Sequence, residues 1–144
     1  MRRLVRRSAF RDAPIYQART RDIVVRVIAS FAPEQSEPAE RQFFWTYTVE
    51  IENHGQDTVQ LLSRHWIITD AQNREREVAG LGVVGEQPTL KPSEAFRYTS
   101  GCPLPTPSGT MRGSYHMVTS GGEAFDVAIP EFSLHLPGAG RVVN

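Results

Sequence analysis

The sequence predicts an all-β chain folded as an antiparallel β-sandwich. Three observations carry that reading. Apolar and polar residues alternate with period 2 from Phe43 to Glu52, the mark of a strand with one buried and one wet face. About eight short extended segments follow one another, separated by turn signals. No stretch shows the 3.6-residue period of an amphipathic helix, so two facing sheets are the architecture that buries the apolar faces.

Residues 1–17 have no sustained period and read as a tail, followed by a domain at 18–137 and a frayed end at 138–144. Thr20–Ser30 is the first strand, rich in β-branched residues at Ile23, Val24, Val25, Val27 and Ile28. Pro33, Pro38, Glu34, Glu37 and Glu40 make an exposed loop. Phe43, Trp45, Tyr47, Val49 and Ile51 share one face of the next strand. Asn53-His54-Gly55 turns the chain with residue types that tolerate left-handed backbone. Val59–Asp70 is a strand with two mixed faces, which predicts a bulge near Ser63. Arg64 and Trp66 share one of those faces and His65 lies on the other. Asp70–Asn73 turns into a return strand from Arg74 to Val78. Ala95–Ser100 is a further strand. Pro103, Pro105 and Pro107 then predict a stiff extended connection without ladder donors. Thr110–Thr119 and Ala124–Ile129 form a hairpin around Ser120–Glu123. Pro130 bends the chain before a last short strand at Phe132–Leu136.

Gly80, Gly82 and Gly85 stand at the spacing Gly-x-Gly-x-x-Gly. Glycine-rich loops let backbone N–H groups approach a phosphate, so Gly80, Gly82, Val83, Val84 and Gly85 form a candidate anion or pyrophosphate loop. The dinucleotide fingerprint also requires a helix opening within the motif. Pro88 and Pro92 forbid that helix, and no βαβ unit surrounds the glycines. Glu86 repels an anion, and no Lys or Arg lies within the loop. A purely structural role, turning a loop across the end of the sandwich, stands equally for these glycines.

The 144 residues suit one domain, and burial of about 68–70% of the unfolded surface gives it a proper core. Net charge is zero, but residues 1–26 carry eight Arg against two Asp, and the remainder is acidic by the same margin. The basic start is the one segment suited to nucleic acid. It is followed by no apolar stretch, so no secretory signal is expected, and no run is long enough to span a membrane. A single cysteine, Cys102, cannot form an internal disulfide and suits a reducing compartment. The four histidines (54, 65, 116, 135) lie on different segments and none forms His-x-His. Neither a nucleophile with its base nor a closed metal shell is evident, so no catalytic residue, metal or cofactor is assigned.

Six segments in order resemble the ApaG family: Asp22–Val25, Phe44–Asn53, Arg64–Asp70, Gly82–Pro88, Tyr98–Gly101 and Met111–Tyr115. The resemblance runs from about residue 17 to 137. Asn73 and Ser93 stand where that family usually has glycine, which predicts left-handed geometry at both. Leu81 stands where many members have proline, and the basic tail is an extension. The resemblance implies an immunoglobulin or fibronectin III-like sandwich of about 7–9 strands. It implies a cytoplasmic bacterial protein linked by name to cobalt and magnesium tolerance or efflux. The same domain in F-box proteins and a DNA polymerase delta-interacting family implies a protein-recognition module. The leading expectation is therefore a non-enzymatic protein-binding module. Anion or nucleotide binding at Gly80–Gly85 is the alternative, and weak divalent-cation binding a second one. An unpaired edge strand offers homodimerisation by sheet extension.

Overall fold

A computed structural model describes residues 14–137. Most of the expected basic tail and the expected C-terminal fray at 138–144 lie outside the described residues. In chain order the strands are β1 (Tyr16–Thr20), β2 (Ile23–Phe31), β3 (Phe43–Asn53), β4 (Val59–Asp70), β5 (Glu75–Leu81), β6 (Thr89–Leu90), β7 (Ala95–Leu104), β8 (Gly109–Thr119) and β9 (Ala124–Leu134). Short 3-10 turns at Pro33–Gln35 and Pro38–Glu40 occupy the loop between β2 and β3. No helix among the described residues is long and apolar enough to cross a membrane.

The strands make two antiparallel sheets, one ordered β1-β2-β3-β7 and the other β5-β4-β8-β9, with β6 against β4. This is the predicted sandwich, and its core is the sum of the alternating inner faces. Val25 and Val27 of β2 and Trp45, Val49 and Ile51 of β3 face Leu61, Met111, Tyr115, Met117, Phe132 and Leu134 of the other sheet, all buried. At the centre Tyr47, Trp66 and Phe132 pack tilted or edge to face, with ring centroids 5.4–5.9 Å apart, the geometry aromatic quadrupoles favour.

The mixed faces of β4 have a simple cause. Its register against β8 shifts between Leu61 and Ser63. Val59 and Leu61 point inward before the shift, and Trp66 and Ile68 point inward after it. One extra residue reverses the facing of everything downstream. Asn73 and Ser93 have φ of 63° and 74°, as their place opposite family glycines predicts.

Five expectations are corrected. Tyr16 and Gln17, assigned to the tail, begin β1, whose residues alternate half-buried and exposed and pair with Val27 and Arg26. The strand expected from Thr20 is divided: Thr20 ends β1, Arg21 and Asp22 turn the chain, and β2 begins at Ile23. Gly80 belongs to β5, which runs three residues past the expected end at Val78. Pro103 lies inside β7, opposite Phe44; β7 is a sheet edge, where a missing N–H costs no ladder bond. Pro130 does not divide the last strand. β9 continues through it, and the register shift opposite Met111 and Gly113 absorbs it.

The two long sides of the sandwich differ. On one, β1 and β9 close together: the Ala128 N–H donates to Thr20 Oγ1 at 3.0 Å, and Arg21 pairs with Glu123 at 2.9 Å. On the other, the edges β5 and β7 face each other across a cleft.

Candidate functional site

The hairpin that builds one wall of the cleft is held at its turn by Asp70. Its Oδ1 accepts the N–H groups of Gln72 and Arg74, at 2.8 and 3.1 Å, and its Oδ2 accepts Arg74 Nε at 2.8 Å. Burial raises the Asp70 pKa, but these hydrogen bonds outweigh it and hold the carboxyl below its ordinary value. The hairpin register then sets Arg64 directly opposite Gly80.

Gly80 makes room for that arginine. A Cβ there would stand 3.0 Å from both Nη1 and Nη2 of Arg64. The guanidinium lies over the glycine, and Nη1 donates to Leu81 O at 3.0 Å and Gly82 O at 2.9 Å. Gly82 itself has φ of 62°, and a Cβ on it would collide with the Glu86 carbonyl. Val83 and Glu86 exchange backbone hydrogen bonds of 2.8 and 2.9 Å. Val84 and Gly85 between them both have positive φ, 42° and 82°, as in a type I′ turn. Val83 is sealed in the core. Val84 is 52% exposed and Leu81 77%, so the turn presents apolar side chains at the rim.

The structure thus brings Gly82, Val83, Val84 and Gly85 together in one turn and leaves Gly80 on the strand before it. The amides of Gly82, Val83 and Glu86 are used internally, by Leu62 O, Glu86 O and Val83 O. The positive charge that the loop lacks in sequence arrives from Arg64. The glycine spacing gave no hint of it; pairing the hairpin outward from Asp70–Asn73 does.

Below the turn the cleft encloses about 280 Å³, lined by Arg64, Leu81, Val84, Tyr47, Tyr98 and Ser100 among others. A second lobe of about 160 Å³ continues from Arg64 to Arg76, Cys102 and Pro103. Arg76 Nη2 donates to Pro103 O at 2.9 Å, joining the two walls. Among the described residues neither Arg64 nor Arg76 forms an ion pair, and Nε and Nη2 of Arg64 have no protein acceptor. The floor is aromatic. Burial pushes the phenols of Tyr47, Tyr98 and Tyr115 above their ordinary value, and Tyr98 and Tyr115 share a hydrogen bond. Burial likewise pushes the Cys102 thiol up to about 11, which leaves it protonated and unreactive at neutral pH.

The other candidates stay apart. His54 pairs with Glu52, His65 with Glu77 and His116 with Asp126, while His135 meets Ser133. Glu34, Glu37 and Glu40 are exposed. Among the described residues no three His, Cys, Asp or Glu side chains converge as metal ligands do.

Known proteins share this frame. The ApaG domain family matches residues 33–119. The chain is 64% identical to Protein ApaG of Caulobacter vibrioides over 140 residues, covering 97% of this chain and all of that one. It is 58% identical to Protein ApaG of Beijerinckia indica over 130 residues, 90% of this chain and again all of the relative. A crystal structure of an ApaA protein from Bordetella pertussis superposes with a TM-score of 0.79 at 56% identity, over 81% of this chain and 94% of that one. The family match takes in the Arg64 hairpin and the glycine turn, and the chain belongs to the ApaG domain family.

Proposed function

We propose that this domain is a non-enzymatic binding module that recognises another protein on the open side of the sandwich, between β5 and β7. The observation that carries the reading is the contrast between the two long sides. The β1–β9 side is closed by Ala128 with Thr20 and by Arg21 with Glu123. The β5–β7 side presents two edges unpaired among the described residues, a cleft, and the exposed apolar pair Leu81 and Val84. Unpaired sheet edges are ready-made partners for another chain. In-cell crosslinking at native abundance tests the reading. A partner recovered above background, joined through β5, Gly82–Gly85 or β7, is the expected result. No partner at all, or attachment confined to other faces, would contradict it.

A second reading, a small anion or nucleotide at Gly80–Gly85, is favoured by the Arg64 guanidinium held against that turn. Saturable amide shifts at Gly80–Gly85 with pyrophosphate or ATP support it, and unmoved resonances at millimolar ligand end it. The link to cobalt and magnesium rests on the family resemblance alone. Direct binding of either ion would raise the melting temperature by mass action, and an unchanged value removes it. The single buried Cys102 suits the cytoplasmic location that the resemblance implies.

A further inference from the structure

The free edge of β5 and the orientation of Arg64 together say what kind of chain the cleft takes. Each sheet edge differs in how it is guarded. β1 and β9 lie side by side, and β9 carries Pro130 at a register shift. β7 carries Pro103, whose carbonyl is held by Arg76. β5 has neither a proline nor a bulge, and its last residues are the small or apolar Val78, Ala79, Gly80 and Leu81. Prolines, bulges and charged side chains guard an edge; β5 has charges only at Glu75, Arg76 and Glu77, and its Val78–Leu81 half carries none of these guards.

The hydrogen-bond alternation shows which groups that edge offers. The Gly82 N–H donates to Leu62 O at 2.8 Å, and Asp70 N–H donates to Arg74 O at the other end of the hairpin. In an antiparallel pair, bonded residues alternate with unbonded ones. Gly80 and Val78 therefore turn their backbone groups toward β4, and Glu77 and Ala79 turn theirs outward. A strand laid there, about 4.8 Å beyond β5, continues the sheet.

The two faces of β5 differ in charge. On the outer face Glu75 meets Arg112 at 3.5 Å and Glu77 meets His65 at 2.8 Å. On the cleft face lie Arg76, Val78 and the bare Gly80 crossed by the Arg64 guanidinium. Arg64 starts on β4 and passes over Gly80 toward the edge. A residue of an added strand opposite Gly80 shares the face of Gly80, so its side chain meets the Nε–Nη2 side of Arg64. No carboxylate of the described residues pairs with that guanidinium, and a fork of N–H donors fits a carboxylate best.

We infer that the partner docks as an extended acidic segment, added as a strand to the free edge of β5, with one of its carboxylates received by Arg64. This rests on the protein-binding reading above. Leu81 and Val84 flank the segment as apolar contacts. The left-handed Val84 is a strained conformation for a β-branched residue, and the turn that imposes it holds an apolar side chain at the rim of the cleft.

Capped nine-residue peptides of alternating Thr and Glu, Thr and Gln, or Thr and Lys test this against the full-length protein, read by amide and arginine Nε resonances. The Glu peptide is expected to give saturable shifts at Glu77, Ala79, Leu81 and Arg64 Nε. The Gln peptide should bind roughly tenfold more weakly and the Lys peptide not at all. Arg64→Gln should erase the preference of Glu over Gln. Ala79→Pro removes one outward N–H at an edge position that tolerates proline, and should abolish binding of the Glu peptide with the rest of the spectrum intact. Equal binding of the Glu and Gln peptides, shifts confined to other faces, or no binding by any peptide would overturn the inference. Arg64 Nε shifts with inorganic pyrophosphate but none with the peptides would do the same, in favour of a small-anion site. In-cell crosslinks that map to β7 would leave the protein-binding reading standing and this inference lost; crosslinks confined to other faces, or none anywhere, would remove both.

Discussion

Gly82 is the residue on which the cleft depends most. Its φ of 62° and the Glu86 carbonyl beneath it exclude any side chain. Left-handed backbone alone costs an L-residue about 1–2 kcal/mol, and the collision adds to that. Gly82→Ala is expected to lower stability by about 2 kcal/mol or more in denaturant unfolding, and an unchanged midpoint would mean that the turn relaxes freely. Ser93 is the converse. It sits at the third position of the turn Lys91-Pro92-Ser93-Glu94, closed by the Glu94 N–H on Lys91 O at 3.0 Å, with φ of 74°. Proline followed by positive φ is the type II pattern, which prefers glycine there. Ser93→Gly should raise stability by about 0.5–1 kcal/mol, seen as a higher unfolding midpoint. At this scale the sequence was partly legible. The strain at Asn73 and Ser93 followed from their family positions. The three glycines of the motif were visible, but not their separate reasons: Gly80 clears Arg64, Gly82 clears a carbonyl, and Gly85 has open space and only its φ to satisfy. Those reasons depend on atoms brought in from other parts of the chain.

Strands with one clean buried face were legible over their whole length, and the continuation of a strand through a proline was not. β3 announces itself through Trp45, Tyr47, Val49 and Ile51, and β4 betrays its bulge through its mixed faces. β1 hid because its five residues, next to the tail, are too few to show a sustained period. The far ends of β7 and β9, beyond Ser100 and Ile129, hid behind Pro103 and Pro130, because whether proline ends a strand depends on whether its nitrogen faces a partner strand, and pairing is a tertiary fact. The continuity of β9 has an energetic consequence. Phe132 lies beyond the Pro130 irregularity, yet it is 1% exposed and packs on both Tyr47 and Trp66. Phe132→Ala should cost about 3–5 kcal/mol by urea unfolding. A loss below about 1 kcal/mol would mean that the C-terminal part of β9 is not integral to the core.

Across the whole molecule, three of the four tyrosines are drawn into the interior with raised phenol pKa values. A group whose folded pKa exceeds its unfolded value of about 10 stabilises the fold fully below that pH. The contribution is lost as pH rises through the folded values. Stability should therefore hold to about pH 10 and fall above it, with tyrosinate absorbance from Tyr47, Tyr98 and Tyr115 appearing together with unfolding. Tyrosinate formation by all three in the still-folded protein below pH 10 would contradict their burial. The asymmetry between the closed β1–β9 side and the open β5–β7 side was not legible at all, because it depends on strand order, and the sequence pattern specifies strands without their neighbours.

That asymmetry is the claim on which the functional reading stands. The most direct test places a photoreactive residue at Leu81 or, as the control on the closed side, at Ala124 of β9, both exposed, and compares in-cell crosslinking of the two full-length variants at native abundance. A partner captured at Leu81 in at least tenfold excess over Ala124 is the predicted result. Equal yields at both positions, or capture only at Ala124, would contradict recognition on the open side.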